Sequence, residues 1–318
     1  MAYTDSDTAN YRGELYLIGN YNTPFLSMIG GLNTGKRSAS FTFPLGQTYS
    51  LSAASQDVQT ETASAAAGTP TTITRSEDTN TCQIMKKDVS VTFKKQSESG
   101  LMSGINTNDP NPVNNELAFQ KEGQLRQMAI DVEYSFLQGT YQAASSTATA
   151  AKTRGIITGT TTNAVAAGSA TLSKDLIDEL MRTMAGNKAI WSNVVMFVNA
   201  FQKQKISDIY GYAPQDRNIG GLNIKQIETD FAMVGVMYDP QMPTDTVLIA
   251  EVSACSPVFV PINFNGEDFM VDMAAGADVL WVPTAVTAAQ KGGFFYTQIG
   301  IDYGPEEYHG KITGLATS

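Results

Sequence analysis

The chain has 318 residues, 42% of them apolar, which is enough for a sizeable core and about two domains and excludes a disordered protein. Charged residues are only 16%, against roughly 25% in ordinary soluble domains, so the surface is weakly charged and suited to burial against partners. The net charge is −10 with no basic block longer than Lys86-Lys87 or Lys94-Lys95, which excludes a protein that reads nucleic-acid sequence.

Cys82 and Cys255 have neither a CxxC spacing nor a nearby histidine, so neither a disulfide framework nor a zinc site is expected. The opening MAYTDSDTANYRGE has no basic stretch followed by an apolar one and is not a signal peptide. No run approaches the ~18 apolar residues of a membrane helix. The chain is therefore expected in a cytoplasm, with no membrane partner.

Residues 1–37 have no sustained period and read as an extended arm. Its one apolar anchor is Pro24, Phe25, Leu26, Met28 and Ile29, in NTPFLSMIGG. Residues 38–84 are poor in core-forming side chains. SFTFPL alternates polar and apolar, and TPTTITR is β-branched, which predicts two strands of a long hairpin with a soft middle at 63–68. Such a hairpin cannot carry its own core and must lie on something else. QIMKKDVSVTFKKQ predicts a strand with Val89, Val91 and Phe93 on one face.

The strongest helix is predicted at about 115–138. Asn114 or Asn115 is its N-cap, Glu116 lies in its first turn, and Gly139 stops it. Leu117 would start the apolar stripe, Lys121 interrupts it, and Leu125, Met128, Val132 and Phe136 form the core face. At 1.5 Å per residue the helix is about 36 Å long. Residues 143–170 read as an Ala/Thr/Gly-rich connection. A second helix follows, capped by Ser173 and ended by Gly186, with Leu176, Ile177, Leu180, Met181 and Met184 inside. Next come a buried strand in NVVMFVNA, a short helix in FQKQKISDIYG, and strands in LNIKQIETD, FAMVGVMYD, DTVLIAEV, SPVFVPI and GFFYTQIGIDYG.

Tests for chemistry fail. Residues 30–36 fit G-x-x-x-x-G-K, but Arg37 stands where a hydroxyl must hold magnesium, and RSASFTFPL reads as strand where a phosphate loop opens a helix. Gly30, Gly31 and Gly35 read instead as a hinge. His309, the only histidine, is expected in a surface loop, with Glu306 and Glu307 solvated or at an interface, like Asp216 and Arg217. DPNPVNNE lacks the alternating carboxylates of a calcium loop. No catalytic residue, metal ligand or cofactor is expected.

Several segments together resemble one family. NTPFLSMIG resembles an arm motif, TRSEDTNTCQIMKKDVSVT the passage from hairpin to strand, LAFQKEGQLRQMAIDVEYSFLQG a spine helix, and SNVVMFVNAFQKQKI a strand–helix step of the major capsid proteins of tailed bacteriophages with the Hong Kong 97-like fold. The resemblance spans nearly the whole chain. It implies an α+β fold with an N-terminal arm (1–37), an extended loop (38–84), a peripheral domain holding the spine helix (85–170 and 266–318) and an axial domain (171–265).

The resemblance further implies self-assembly into hexamers and pentamers of an icosahedral shell around packaged double-stranded DNA, held on the inner face without sequence specificity. A portal is an implied partner, and decoration or cement proteins are candidates. The chain starts with its arm, so a separate scaffolding protein is expected. No lysine lies in 38–84, so assembly is expected to be non-covalent. The arm anchor is expected to dock on a capsid subunit, taken to be a neighbour. The alternative with the same fold is an encapsulin-like compartment shell. A secreted adhesin or surface-layer subunit is disfavoured by the long amphipathic helix.

Overall fold

The computed structural model describes residues 22–32, 34–56, 58–67, 72–98, 115–210, 226–261, 263–264, 267–268, 279–286 and 288–317. Residues 1–21 of the expected arm, 68–71 of the expected hairpin, 222–225 of one expected strand, and Asn114, Asp216 and Arg217 lie outside the described residues.

Helix α1 (Pro24–Ile29) leads through a glycine turn to β1 (Lys36–Arg37) and β2 (Thr42–Tyr49). A single-turn α2 (Glu61–Ser64), capped by Thr60, separates β2 from β3 (Arg75–Thr81). Then come β4 (Gln83–Thr92), α3 (Phe93–Glu98) and the long α4 (Glu116–Gln138). The middle holds α5 (Ile156–Gly159), β5 (Ala164–Ala166), α6 (Lys174–Gly186), β6 (Val194–Val198) and α7 (Ala200–Tyr210). The rest is nearly all strand: β7 (Gln226–Glu228), β8 (Met233–Tyr238), β9 (Val247–Glu251), β10 (Ser256–Phe259), β11 (Asn263–Phe264) and β12 (Glu267–Asp268). It ends with β13 (Leu280–Pro283), β14 (Gln290–Asp302) and β15 (Gly310–Thr313).

Helix starts follow their caps. The Asn115 side chain accepts the Ala118 N–H at the head of α4, and Ser173 accepts the Leu176 N–H at the head of α6. Each satisfies a donor that the first turn would leave open. Acidic Glu116 and Asp175 sit at the positive ends of these helices. Gly139 ends α4 for a reason of space rather than of handedness. Its φ is −53°, and a Cβ there would lie 2.3 Å from Ser135 O and 2.5 Å from Thr153 O.

One sheet is built around β14, which pairs antiparallel with β4 along its length on one edge and with β13 and β10 on the other, β1 lying parallel outside β10. The second sheet has the order β5-β15-β9-β6-β8-β7. It takes β5 and β15 from outside 171–265, and α6 packs on that end. Alternate residues of its central strands enter two cores. Val195, Phe197, Leu248 and Ala250 face the core shared with α1, α4 and β14, while Met196, Val198, Val247 and Ile249 face α6. Burial on both faces explains why NVVMFVNA reads as one continuous apolar run.

Three expectations change. Strand β3 starts at Arg75, and the described residues of the β-branched run before it, 72–74, are not strand. Register with β2, from Thr42↔Thr81 to Tyr49↔Arg75, places the strand on the polar RSEDTNT instead. Strand β4 stops at Thr92, so Phe93 opens α3 and is exposed, while Val89 and Val91 are buried as expected. His309 is not in a surface loop. It is fully buried: its Nδ1 accepts the Glu251 N–H (3.2 Å) and its Nε2 lies 2.5 Å from Tyr303 O. One nitrogen accepting and the other donating is the neutral imidazole, and burial pushes its pKa down to about 4.

Candidate assembly elements: the arm anchor, the spine helix and the hairpin

Pro24 occupies the first turn of α1, where its missing N–H costs nothing. Phe25, Leu26 and Ile29 are buried, Pro24 is half-buried, and Met28 is exposed. Their cover is this chain itself. Phe25 packs edge-on against Phe197 (centroids 5.2 Å apart, 89°), and all three buried residues join the core with Val132, Phe136, Phe259 and Ile299. The expectation of a neighbouring subunit as the dock for Phe25, Leu26 and Ile29 is therefore corrected to an intramolecular one. Gly30 and Gly31 follow with φ of 125° and 69°, values that L side chains resist, and turn the chain toward β1. After Lys36 the chain continues as strand, and Lys36 pairs with Asp302 at 2.6 Å, so no phosphate loop forms.

The spine helix α4 buries Met128, Val132 and Phe136 completely, and Leu125 is half-buried against the cluster of Val89, Met128, Val279 and Phe295. Lys121, which breaks the stripe in sequence, lies 3.9 Å above the Trp281 ring. Burial, then the Lys291 charge, lowers its pKa. The apolar pattern hides a fully buried acid on the same face, Glu133. Thr23, the N-cap residue of α1, makes no side-chain cap. Glu133 supplies it from another helix: Oε1 accepts the Phe25 N–H (2.9 Å) and Oε2 the Leu26 N–H (2.6 Å). A second buried acid, Asp239, lies against Glu133, and its Oδ1 accepts the Gln241 N–H at 2.8 Å. Gln138 Nε2 donates to Gln241 O, so the turn after β8 is tied to the spine helix.

The β2–β3 hairpin is rooted where β2 begins and β3 ends. Phe43 and Leu45 enter the main core. Buried Asn80 donates to Ile301 O (2.8 Å) and Arg154 O (3.0 Å) and accepts the Arg154 N–H (2.8 Å). Beyond that root, every described residue from 50 to 79 is exposed. Tyr49, Leu51, Val58 and Ile73 stand in water at 65%, 59%, 74% and 62% exposure.

Glu306 is likewise satisfied inside the subunit. Glu306 accepts from the Thr161 N–H and hydroxyl (2.6 and 2.7 Å) and from the Thr162 hydroxyl (2.8 Å). Burial alone would raise its pKa, but these bonds outweigh it and hold the carboxyl below its usual range. Cys82 and Cys255 are buried thiols, with burial pushing Cys82 up to about 12. Among the described residues no cluster of three metal-binding side chains occurs, and no helix is long and apolar enough to cross a membrane.

This architecture, a short docked arm helix, a root-anchored hairpin, a long spine helix and two mixed sheets, is the Hong Kong 97-like fold of capsid-shell subunits. The cyanophage A-1(L) capsid matches at a TM-score of 0.62 and 10% identity, over 100% of this chain and 98% of that one. The capsid of a native GTA particle matches at 0.60 and 11%, over 96% and 94%. The SrpI encapsulin of Synechococcus elongatus PCC 7942 matches at 0.56 and 9%, over 100% and 98%. At such identities these likenesses carry the fold alone, and no curated protein matches. The family is shown by sequence: the model of the SU10 major capsid protein matches residues 1–316. The chain belongs to that family and is a major capsid protein, a structural component of the virion.

Proposed function

We propose that this capsid protein assembles into hexamers and pentamers of an icosahedral shell around packaged double-stranded DNA, without covalent crosslinks and without enzymatic activity. The observation that carries the reading is the hairpin from 49 to 79, exposed throughout its described residues and bearing Tyr49, Leu51, Val58 and Ile73 in water. A segment this poor in its own contacts gains stability when a neighbouring copy covers it. Many modest contacts made at once give a closed shell its strength. In this reading 1–37 is the arm, 38–84 the extended loop, 85–170 with 266–318 the peripheral domain and 171–265 the axial domain. Strands β5 and β15 attach to the axial sheet although they fall outside that last range. Phe25, Leu26 and Ile29 serve assembly indirectly, by fastening the arm to its own subunit, and exposed Met28 is left for contact with another copy.

The partners of this reading are other copies of the chain, a separate scaffolding protein, a portal, and decoration or cement proteins where present. Packaged DNA meets the inner face without sequence readout, and assembly takes place in the host cytoplasm. An encapsulin-like compartment is the alternative with the same fold, and only a likeness in fold to SrpI stands behind it. Electron microscopy of the chain expressed with its genomic neighbours tests both. Icosahedral particles that fill with DNA support the first. Small shells enclosing protein cargo support the second, and monomers or open sheets overturn both.

A further inference from the structure

Glu133, Asp239 and the head of α1 form a buried junction of three elements, the spine helix, the turn after β8 and the arm. Both Glu133 oxygens already accept backbone N–H groups, from Phe25 and Leu26. Asp239 Oδ1 accepts from Gln241, while Oδ2 is buried and, among the described residues, receives no N–H or O–H. Two ionised carboxylates in contact in a buried site would repel strongly. The groups facing them are few. From α1 come two N–H groups and the positive helix end, from the turn after β8 the Gln241 N–H, and among the described residues no lysine, arginine or histidine acts on either carboxyl.

We propose that Glu133 and Asp239 share a single proton between them, and that this proton latches the arm helix α1 onto the spine helix. The pair then keeps one negative charge at the head of α1, where both Glu133 oxygens accept N–H groups and an anion is favoured. Burial, and for Glu133 also the Asp239 charge, holds the carboxyls above their usual range. Once undocked, both carboxyls meet water and ionise above about pH 4. Undocking therefore releases one proton. The latch is strongest near that pH and weakens as pH rises, by up to about tenfold per unit, until the docked pair itself loses its proton.

The test is hydrogen exchange of the α1 amides in the full-length chain from about pH 6 to 9, corrected for intrinsic rates, with infrared detection of a protonated carboxyl at neutral pH. The wild type is expected to lose α1 protection steeply as pH rises and to show the buried carboxyl band. In Asp239→Asn the side-chain amide replaces the proton permanently, so protection should lose its pH slope and the band should vanish. Should that variant not fold, Glu133→Gln carries the same comparison, with lower protection but again no slope, because one cap bond is lost and the shared proton is gone. A flat wild-type profile, a missing band, or a slope and band that survive in the folded variant overturns the proposal.

Discussion

Phe25 shows how far single residues could be read. The apolar letters of PFLSMI mark an anchor, but nothing in them says what the anchor meets. The answer lies in Phe197 and Glu133, more than a hundred positions away. Glu133 shares the helix face of Ala129, Val132 and Phe136, and the apolar pattern by itself does not single it out. Phe25→Ala is expected to cost the subunit about 3–5 kcal/mol, measured by denaturant unfolding, because it empties a fully buried site. Asp at both Phe25 and Leu26 should abolish the folded subunit itself; a folded double mutant that merely fails to close shells would restore the neighbour as the dock. His309 was misread because a lone histidine beside two glutamates looks like a loop; its partners, Glu251 N–H and Tyr303 O, are backbone groups that no motif displays. Its pKa is depressed from 6.5 to about 4 by burial, so the unfolded chain takes up the proton first. Its contribution, up to about 3 kcal/mol, is fully present above pH 6.5 and is lost as pH falls toward 4. His309→Gln should flatten this part of the stability–pH curve.

Elements were legible where local signals and tertiary context agree. Helices α4 and α6 carry caps, acidic first turns and apolar stripes, and their starts fall where Asn115 and Ser173 place them. Strand β3 was displaced because its sequence, RSEDTNT, has no periodicity; pairing with β2 and the buried Asn80 decide its position. Phe93 left its strand because α3 begins there, and the β alternation of Val89 and Val91 does not extend through it. Gly139 looks like an ordinary helix stop, yet its need for glycine comes from the 153–155 segment crossing it. Gly139→Ala should therefore destabilise by about 1–3 kcal/mol, as overpacking against backbone does, whereas alanine at Gly123, with nothing near its Cβ position, should be neutral or stabilising. Thermal unfolding of the two variants side by side checks this.

At the scale of the whole molecule, the low charge and the core-poor segment of 38–84 already pointed to a subunit that is completed by its neighbours. The two cores on either side of the second sheet were not legible, because a strand buried on both faces shows no alternation. The hairpin belongs to this scale. Ser at Val58 and Ile73 should leave subunit stability within about 0.5 kcal/mol, since both side chains are exposed in the subunit, while sharply reducing the yield of closed shells seen by sedimentation. Cryo-electron microscopy of particles formed by the intact chain tests the central claim most directly. The expected map shows a closed icosahedral shell in which residues 49–79 of each copy lie on another copy, with Tyr49, Leu51, Val58 and Ile73 covered. A shell in which that hairpin stands in solvent, or a chain that forms no closed shell, would contradict the account.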